Sequence, residues 1–295
     1  ELSRVNVVSV NSMLSVEAAG QALMFTPGTC LPPTPTVHIS PKQVREEMML
    51  RKRLPWQFEG AAAEIIRHNF RDVPIKTLVI SFTHPHKALS SREGFKEVSA
   101  VCNNFNPPQL WDFIHQNWEL YLAEIIADLK LLPGEVAILS TGVDIDHGAF
   151  RVEEYEELKV SAFVTAGVES NAMRIGVDKA GGMEREGKFE PIGTINTILL
   201  TNACLSESAM VRSLITITEA KTIALQDMDI RSSYDPSVQA TGTGTDQVIV
   251  VSGEGPKVSY CGGHCKIGEL MARAVTSATK EAILKHGSTR KRIKR

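Results

Sequence analysis

The segment Ala240–Asp246 (ATGTGTD) concentrates hydroxyl groups, glycines and a carboxylate in a few residues. Its two glycines permit backbone dihedrals that a Cβ would forbid, so main-chain N–H groups can point into a cavity beside the hydroxyls of Thr241, Thr243 and Thr245. Such a loop suits an oxyanion or a carbonyl oxygen, and Asp246 could orient a water molecule or hold a neighbouring cation. The structural alternative is a glycine-rich turn in which the carboxylate only bonds backbone N–H groups.

Polar residues with possible chemical roles also occur elsewhere in the chain. Asn171 and Asn196 lie at the ends of apolar strand candidates, where an amide can bind a ligand or tie a turn together. Glu219 and Lys221 lie in a predicted helix two positions apart, so they do not face each other and each needs another partner. A solvated helix face is the simpler interpretation of these two residues.

The turn Cys261–Cys265 (CGGHC) brings together Cys261, His264 and Cys265, which are three possible metal ligands. Zinc would need a fourth ligand or a water molecule, and the chain lacks a second Cys/His pair at metal spacing. We therefore predict a tight turn and no metal site. His264 alone is a candidate acid or base, because it precedes a predicted helix in the same region of sequence as Ala240–Asp246, which we call the threonine loop.

Hydrophobic patterning predicts the elements that must position these residues. Helical spacing occurs in Phe58–Ile66, in 110–129, in a helix capped by Ser206 that runs to Gln226, and in a last helix that begins near Ile267 and ends at Gly287. Strands are predicted at 75–82, 135–139, 160–168, 192–201 and 247–252. Strands and helices do not alternate strictly, so the predicted fold class is α/β in the broad sense (mixed α+β), a layered domain with helices packed on a mixed β-sheet.

The chain divides into three parts by composition. Residues 1–55 are predicted to form an extended Pro-rich arm that begins with a short β-like run at Val5–Val10. Residues 56–287 are predicted to form a single domain, with an exposed loop at Gly181–Gly187. The basic residues of 288–295 are interpreted as a solvated tail.

Composition excludes several classes of protein. The 295 residues carry 32 basic and 34 acidic side chains, which gives no electrostatic footprint for nucleic acid. No apolar run of about 18 residues could span a bilayer. Five cysteines are too few and too scattered for a disulfide scaffold. We expect a cytoplasmic protein, although a processed secretory protein would present the same N-terminus. The oligomeric state stays open.

Six segments in order resemble the adenosylcobinamide amidohydrolase family. They are TAGVESNAMRIG (165–176), GTINTILLTN (193–202), LSESAM (205–210), TEAKTIAL (218–225), ATGTGTD (240–246) and GGHCKIGELMARAV (262–275). A looser similarity, which includes ALSS (88–91), extends back toward residue 60. The chain departs from the family pattern at Arg92–Phe95, where the family has a glycine pair.

The resemblance implies a corrinoid-salvage enzyme. Its reaction would hydrolyse the amide between a corrin side chain and aminopropanol, releasing adenosylcobyric acid. Cobalt would arrive inside the corrinoid substrate, so the resemblance implies no separate metal or other cofactor.

The resemblance also favours functional roles for the polar residues. Asp246 or Glu219 would activate water, the loop N–H groups with Asn196 would hold the oxyanion, and Lys221 or His264 would act as the acid. A Thr243 nucleophile is the competing mechanism. The candidate substrate-binding residues are Asn171, Arg174, Asn196, Thr241 and Thr245.

A second class of function stays open beside the enzyme. Corrinoids carry many carboxamides around a large apolar ring, so the same polar strand ends could hold a bound corrinoid, or another small ligand, without catalysis. A third class is a metal protein organised around Cys261–Cys265.

Overall fold

A computed structural model of the chain describes residues 7–10, 13–16, 49–180 and 194–293. Contacts divide the chain into two units, Glu1–Leu50 and Arg51–Arg295. In the first, β1 (Val7–Val10) and β2 (Met13–Val16) pair in an antiparallel register, which confirms the described part of the β-like run predicted at Val5–Val10. The prolines of Pro27–Pro41 lie outside the described residues, so the irregular arm stays a prediction.

The remaining elements follow in chain order. They are β3 (Leu50–Arg53), β4 (Ala61–Phe70), β5 (Val73–Ser90), β6 (Gly94–Phe105), α1 (Trp111–Gln116), α2 (Trp118–Asp128), β7 (Val136–Thr141), β8 (Ala149–Tyr155), β9 (Leu158–Ala166), β10 (Ile195–Thr201), β11 (Cys204–Leu205), α3 (Glu207–Asp227), β12 (Gln247–Val251), β13 (Lys257–Val258) and α4 (Lys266–Ile293). None of the helices in these described ranges is long and apolar enough to cross a membrane.

Nine of the strands form one curled, mixed sheet in the order β3-β4-β5-β12-β10-β9-β8, while β6 pairs with β5 and with β7. Strand β5 makes the curl possible, because it spans 18 residues and its pairing with β6 shifts between Ser81 and His86. Its first part pairs with β4, and its last residues pair with β12. Apolar side chains from both parts of the sheet, such as Leu78, Phe163 and Ile249, pack together in one core cluster.

Helices α3 and α4 cover the other face of β9, β10 and β12 through a second apolar core. Ile195 and Leu199 of β10 share this cluster with Ile217 of α3 and Met271 of α4. The predicted fold class, a layered mixed α/β domain with helices packed on a mixed sheet, is therefore confirmed.

The direction of two central strands positions the threonine loop. Strands β10 and β12 run parallel, with Asn196 opposite Gln247, so the residues that precede both strands meet at one edge of the sheet. Helix α3 begins as predicted, with Ser206 Oγ accepting from the N–H of Ala209. Its Lys221 reaches this same edge.

The helix predicted from the spacing of Phe58–Ile66 is wrong, because this segment forms β4. All ten residues of β4 pair with β5 in an antiparallel register. The connecting residues Arg71 and Asp72 both have positive φ, 47° and 65°. Such turns usually contain Asn or Gly, so the sequence carries no hairpin signal at this point.

Two helix boundaries also differ from the prediction. The helix expected over 110–129 is interrupted at Asn117, whose φ of −135° and ψ of 42° are not helical, so it becomes α1 and α2. Helix α4 does not end at Gly287 but continues to Ile293, since one glycine costs a helix only about 1 kcal/mol. The predicted loop Gly181–Gly187 lies outside the described residues.

Candidate active site

A partly buried ion pair lies where α3 meets the edge of the sheet. Lys221 Nζ is 2.6 Å from Oδ2 of Asp246, and the two side chains are only 12% and 16% exposed. Asp246 is the residue immediately before β12. Since water screens the two charges little at this depth, their attraction is stronger than that of a surface pair.

The other oxygen of this carboxylate is bound by protein donors. Oδ1 of Asp246 accepts from the backbone N–H of Ile195 at 3.0 Å and from Thr243 Oγ1 at 2.5 Å. The N–H of Thr243 lies 3.3 Å from Oδ1 and 3.2 Å from Oδ2. The carboxylate therefore bonds backbone N–H groups, as the turn interpretation expected, and also holds a lysine.

Packing explains both glycines of the loop. A Cβ on Gly242 would lie 2.2 Å from Asp246 Oδ2 and 2.7 Å from Lys221 Nζ, so any side chain would separate the ion pair. Gly244 has φ of +77°, and a Cβ there would lie 2.7 Å from Met173 Sδ. The N–H of Gly242 donates to the carbonyl of Met173 at 3.3 Å, so this loop amide is used inside the protein.

A cavity of about 200 Å³ opens beside the ion pair, between α3 and the edge of the sheet. Four of the residues that line it are aliphatic, and the other six are polar or charged. The lining residues are Ser91, Ile195, Thr197, Leu214, Ile217, Thr218, Lys221, Asp246, Gln247 and Val248. A cavity that combines aliphatic walls with converging polar groups is typical of a binding or catalytic site.

Asn196 is fully buried and connects the loop to the interior of the sheet. Its Nδ2 donates to Asn103 Oδ1 at 2.8 Å and to the carbonyl of Ser140 at 2.9 Å. Its Oδ1 lies 3.1 Å from Thr194 Oγ1, which is itself 2.6 Å from the carbonyl of Thr245. Both hydrogens of the Asn196 amide are thus used within the protein, in a network that supports the loop.

A second buried network continues beyond Ser140, whose Oγ accepts from Asn106 Nδ2. Asn106 and Asn104 bond Tyr121 OH, and Asn104 Oδ1 accepts from Thr77 Oγ1 at 2.8 Å. Thr77 Oγ1 is 3.0 Å from Nε2 of His68. Burial lowers the pKa of His68 to about 4, with a further contribution from the positive charge of Arg51, so this ring is neutral at pH 7.

The segment after β9 lies against the threonine loop. The N–H of Met173 donates to the carbonyl of Gly242 at 2.8 Å, and the N–H of Ile175 donates to Thr241 Oγ1 at 3.0 Å. Arg174 Nη1 contacts the carbonyl of Gln239 at 3.3 Å. Asn171 is buried in this segment. Arg174, one of the two substrate-binding candidates of this segment, thus lies beside the start of the loop.

Two of the predicted catalytic residues lie apart from the ion pair. Glu219 is exposed on α3, and it does not line the cavity, whereas Thr218 and Lys221 do. His264 is exposed in the turn before α4, and within the described ranges it has no hydrogen bond to the loop. The prediction that Glu219 and Lys221 have different partners agrees with the contact between Lys221 and Asp246.

The turn Cys261–Cys265 is closed by protein contacts. The N–H of Cys265 donates to the carbonyl of Gly262 at 3.0 Å, and its Sγ lies 2.9 Å from the same oxygen. Burial, with a smaller effect of Cys265, raises the pKa of Cys261 to about 12. Among the residues that the structure describes, no group of three or more His, Cys, Asp or Glu side chains is placed to hold a metal ion.

Sequence reasoning missed three residues that shape this site. Ser91 lines the cavity, and its Oγ accepts from the N–H of Val248 at 3.0 Å. Thr194 links the loop to Asn196, and Asn103 bonds both Asn196 and Thr165. The available signals were the ALSS segment and the three asparagines of NNFN at residues 103–106, which are unusual in an otherwise apolar strand.

Comparison with known proteins identifies the family. The family model described as adenosylcobinamide amidohydrolase matches residues 62–291. The chain belongs to the adenosylcobinamide amidohydrolase family. The match covers the curled sheet from β4 onward and reaches into α4, so it includes the ion pair and the cavity. The resemblance of the six sequence segments is therefore confirmed.

Two relatives and one solved structure are similar to parts of this chain. An uncharacterised protein of Methanocaldococcus jannaschii is 46% identical over 221 residues, which cover 71% of this chain and 86% of the relative. A protein of Methanosarcina mazei named adenosylcobinamide amidohydrolase is 32% identical over 193 residues, covering 62% of this chain and 79% of the relative. A crystal structure from Pyrococcus horikoshii is 14% identical with a TM-score of 0.37, covering 72% of this chain and 76% of that one.

Proposed function

We propose that this protein hydrolyses the amide that joins a corrin side chain of adenosylcobinamide to aminopropanol. Family membership supports the substrate class. The observation that carries the chemistry is the Lys221–Asp246 pair beside the cavity, with a carboxylate whose orientation is set by Thr243 and Ile195. Amide hydrolysis needs a base, a group that stabilises the oxyanion and an acid, and in this proposal the pair supplies all three.

Asp246 acts as the base in the proposed mechanism. Its Oδ1 accepts from Ile195 and Thr243, whereas Oδ2 accepts from Lys221 at 2.6 Å and from the N–H of Thr243 at 3.2 Å. In the proposed step a water molecule from the cavity bonds Oδ2 in place of the longer of these two contacts. The water gives one proton to Asp246, and the resulting hydroxide attacks the carbonyl carbon of the substrate. Glu219, the alternative base, is exposed outside the cavity and is less suited to this step.

Lys221 acts on the oxygen and on the leaving group. Its ammonium, held next to the carboxylate, neutralises the charge that develops on the carbonyl oxygen. As the C–N bond breaks, Lys221 gives a proton to the amine nitrogen, and the protonated Asp246 then returns the proton taken from water to Lys221. The products are the carboxylic acid and aminopropanol, and both side chains recover their starting charges.

The position of Thr243 favours activated water over a threonine nucleophile. Thr243 is 5% exposed and is not one of the residues that line the cavity. Its hydroxyl donates to Asp246, and so it holds the carboxylate in place. In this proposal water is the only co-reactant, and cobalt enters only as part of the corrinoid.

Incubation of the purified protein with adenosylcobinamide tests the proposal. We expect release of free aminopropanol together with adenosylcobyric acid, both measured by mass spectrometry, and we expect Asp246→Asn to abolish most of it. A change in the corrinoid absorbance without product over a long incubation would instead identify a binding protein.

A further inference from the structure

One stripe of α3 faces the β5–β6 hairpin. At 3.6 residues per turn, Glu207, Val211, Leu214 and Thr218 follow one another along a single side of the helix. Glu207 fixes the direction of this stripe, because its Oε1 is 2.9 Å from Nζ of Lys87 in β5. The stripe then reaches the cavity, which Leu214 and Thr218 line.

We call the space between this stripe and the β5–β6 hairpin the groove, and an aromatic side chain lies on its sheet side. Phe95 of β6 pairs with Leu89 of β5, and paired residues project from the same face of a sheet. Leu89 belongs to the apolar cluster beneath α3 and α4, so Phe95 is on the face that these helices cover. Phe95 is nevertheless 45% exposed, and Val211 is 50% exposed. We call these two solvent-exposed apolar side chains, Phe95 and Val211, the rim.

By strand register and helix phase, Phe95 and Val211 lie beyond the cavity, on the side away from the catalytic end. Leu89 pairs with Val250, four residues along β12 from Asp246, which corresponds to about 13 Å of extended strand. Ser91 lies between the two ends and lines the cavity. The groove is therefore bounded by the Lys221–Asp246 pair at one end and by the Lys87–Glu207 pair at the other.

The size of the cavity decides what the rim must contact. Pockets that enclose a drug-sized ligand have volumes of about 300–1,000 Å³. The cavity beside Asp246 has about 200 Å³, so it can hold the aminopropanol amide arm but not the macrocycle that carries it. While the amide lies beside Asp246, the ring must rest outside, against whatever surface borders the opening.

We propose that Phe95 and Val211 form the surface on which the apolar face of the corrin ring rests during hydrolysis. This inference rests on the proposed function and extends it to the binding of the macrocycle. The two side chains would select substrates by the ring, while Lys221 and Asp246 act only on the arm.

Equilibrium binding of adenosylcobyric acid tests this contact, because that compound keeps the ring and lacks the aminopropanol. We expect Phe95→Ser and Val211→Ser each to weaken binding about tenfold by absorbance titration, since each removes exposed apolar contact area. KM for adenosylcobinamide should rise by a similar factor with little change in kcat. Thermal unfolding should stay near wild type, because both side chains are exposed.

Ile223→Ser is the matched control. Ile223 is 47% exposed on the same helix, and at about 100° per residue it lies opposite Leu214, away from the groove. We expect its corrinoid binding to equal that of the wild type.

Three results would overturn or separate the two proposals. If adenosylcobinamide is hydrolysed but neither rim variant changes binding or KM, the rim assignment is wrong and the enzyme assignment stands. If the rim variants weaken binding of adenosylcobyric acid while the wild type releases no aminopropanol, the enzyme assignment fails and the rim assignment stands. If Val211→Ser changes the oligomer mass measured by sedimentation and leaves corrinoid binding and KM unchanged, the rim is a contact between copies of this chain.

Discussion

Lys221 Nζ and Asp246 Oδ2 lie 2.6 Å apart in space that Gly242 leaves open. The contact joins α3 to the loop before β12, so the position of the helix and the conformation of the loop depend on each other. A side chain as small as a methyl group at residue 242 would occupy the space of the carboxylate oxygen.

Gly242→Ala should therefore disrupt the candidate site. We expect the release of aminopropanol to be largely lost, and we expect a stability loss of about 1–3 kcal/mol from overpacking. Urea unfolding and the product assay measure the two effects. Gly263→Ala is the control, because a Cβ at Gly263 meets no atom within 4 Å. Equal activity of the two variants would contradict the importance of this packing.

Asp246→Asn and Glu219→Gln separate the two candidate bases. Both substitutions keep the size of the side chain and remove its charge. We expect Asp246→Asn to lower kcat by about 10²–10⁴-fold, the usual contribution of a general base. Glu219→Gln should stay close to wild type, since Glu219 is exposed outside the cavity. A larger loss of kcat in Glu219→Gln than in Asp246→Asn would identify Glu219 as the base.

Thr243 separates activated water from a covalent mechanism. Thr243→Val removes the hydroxyl that donates to Asp246 and keeps the shape of the side chain. We expect a reduced kcat that Thr243→Ser restores, and an unmodified mass for wild-type protein quenched during turnover. An acyl adduct on Thr243, detected by peptide mass spectrometry, would identify Thr243 as the nucleophile. It would contradict the proposal that Asp246 activates a water molecule for the first attack on the amide.

His68 should make stability depend on pH. Its pKa is about 4 in the folded protein against 6.5 ordinarily, so between these values the unfolded chain binds more protons than the folded one. The free energy of unfolding should therefore fall as pH decreases, by about 2 kcal/mol between pH 7 and pH 5 from this residue. We expect urea unfolding of His68→Gln to depend less steeply on pH than that of the wild type. Parallel curves would contradict the assignment.

The two thiols of the CGGHC turn should differ in reactivity. Cys261 is buried with its pKa raised to about 12, so it has little thiolate at pH 8.5. Cys265 is partly exposed. We expect iodoacetamide to label Cys265 before Cys261 in the folded protein, as mapped by peptide mass spectrometry, and to label both in urea. Fast labelling of Cys261 would show that the turn opens.

Prediction from the sequence succeeded where a signal is local. The cap of α3 at Ser206 and the apolar strands β9, β10 and β12 depend on neighbouring residues and were identified correctly. Prediction failed at β4, because only pairing with a neighbouring strand distinguishes a strand of this composition from a helix. That neighbour is β5, and the turn that leads to it contains neither Asn nor Gly, so the sequence gives no sign of the pairing. The break at Asn117 likewise had no local signal that stood out from the helical spacing around it.

The sequence by itself determined the family and the class of fold, and it singled out Ala240–Asp246 as a candidate site, because these inferences depend on residue types and their order. Only the tertiary structure decided which of those residues meet. Lys221 and Asp246 are 25 residues apart, and they pair because β10 and β12 run parallel with α3 packed across their edge. The same folding leaves Glu219 outside the cavity and brings in Ser91, since proximity at this edge is set by strand pairing and helix packing rather than by spacing along the chain.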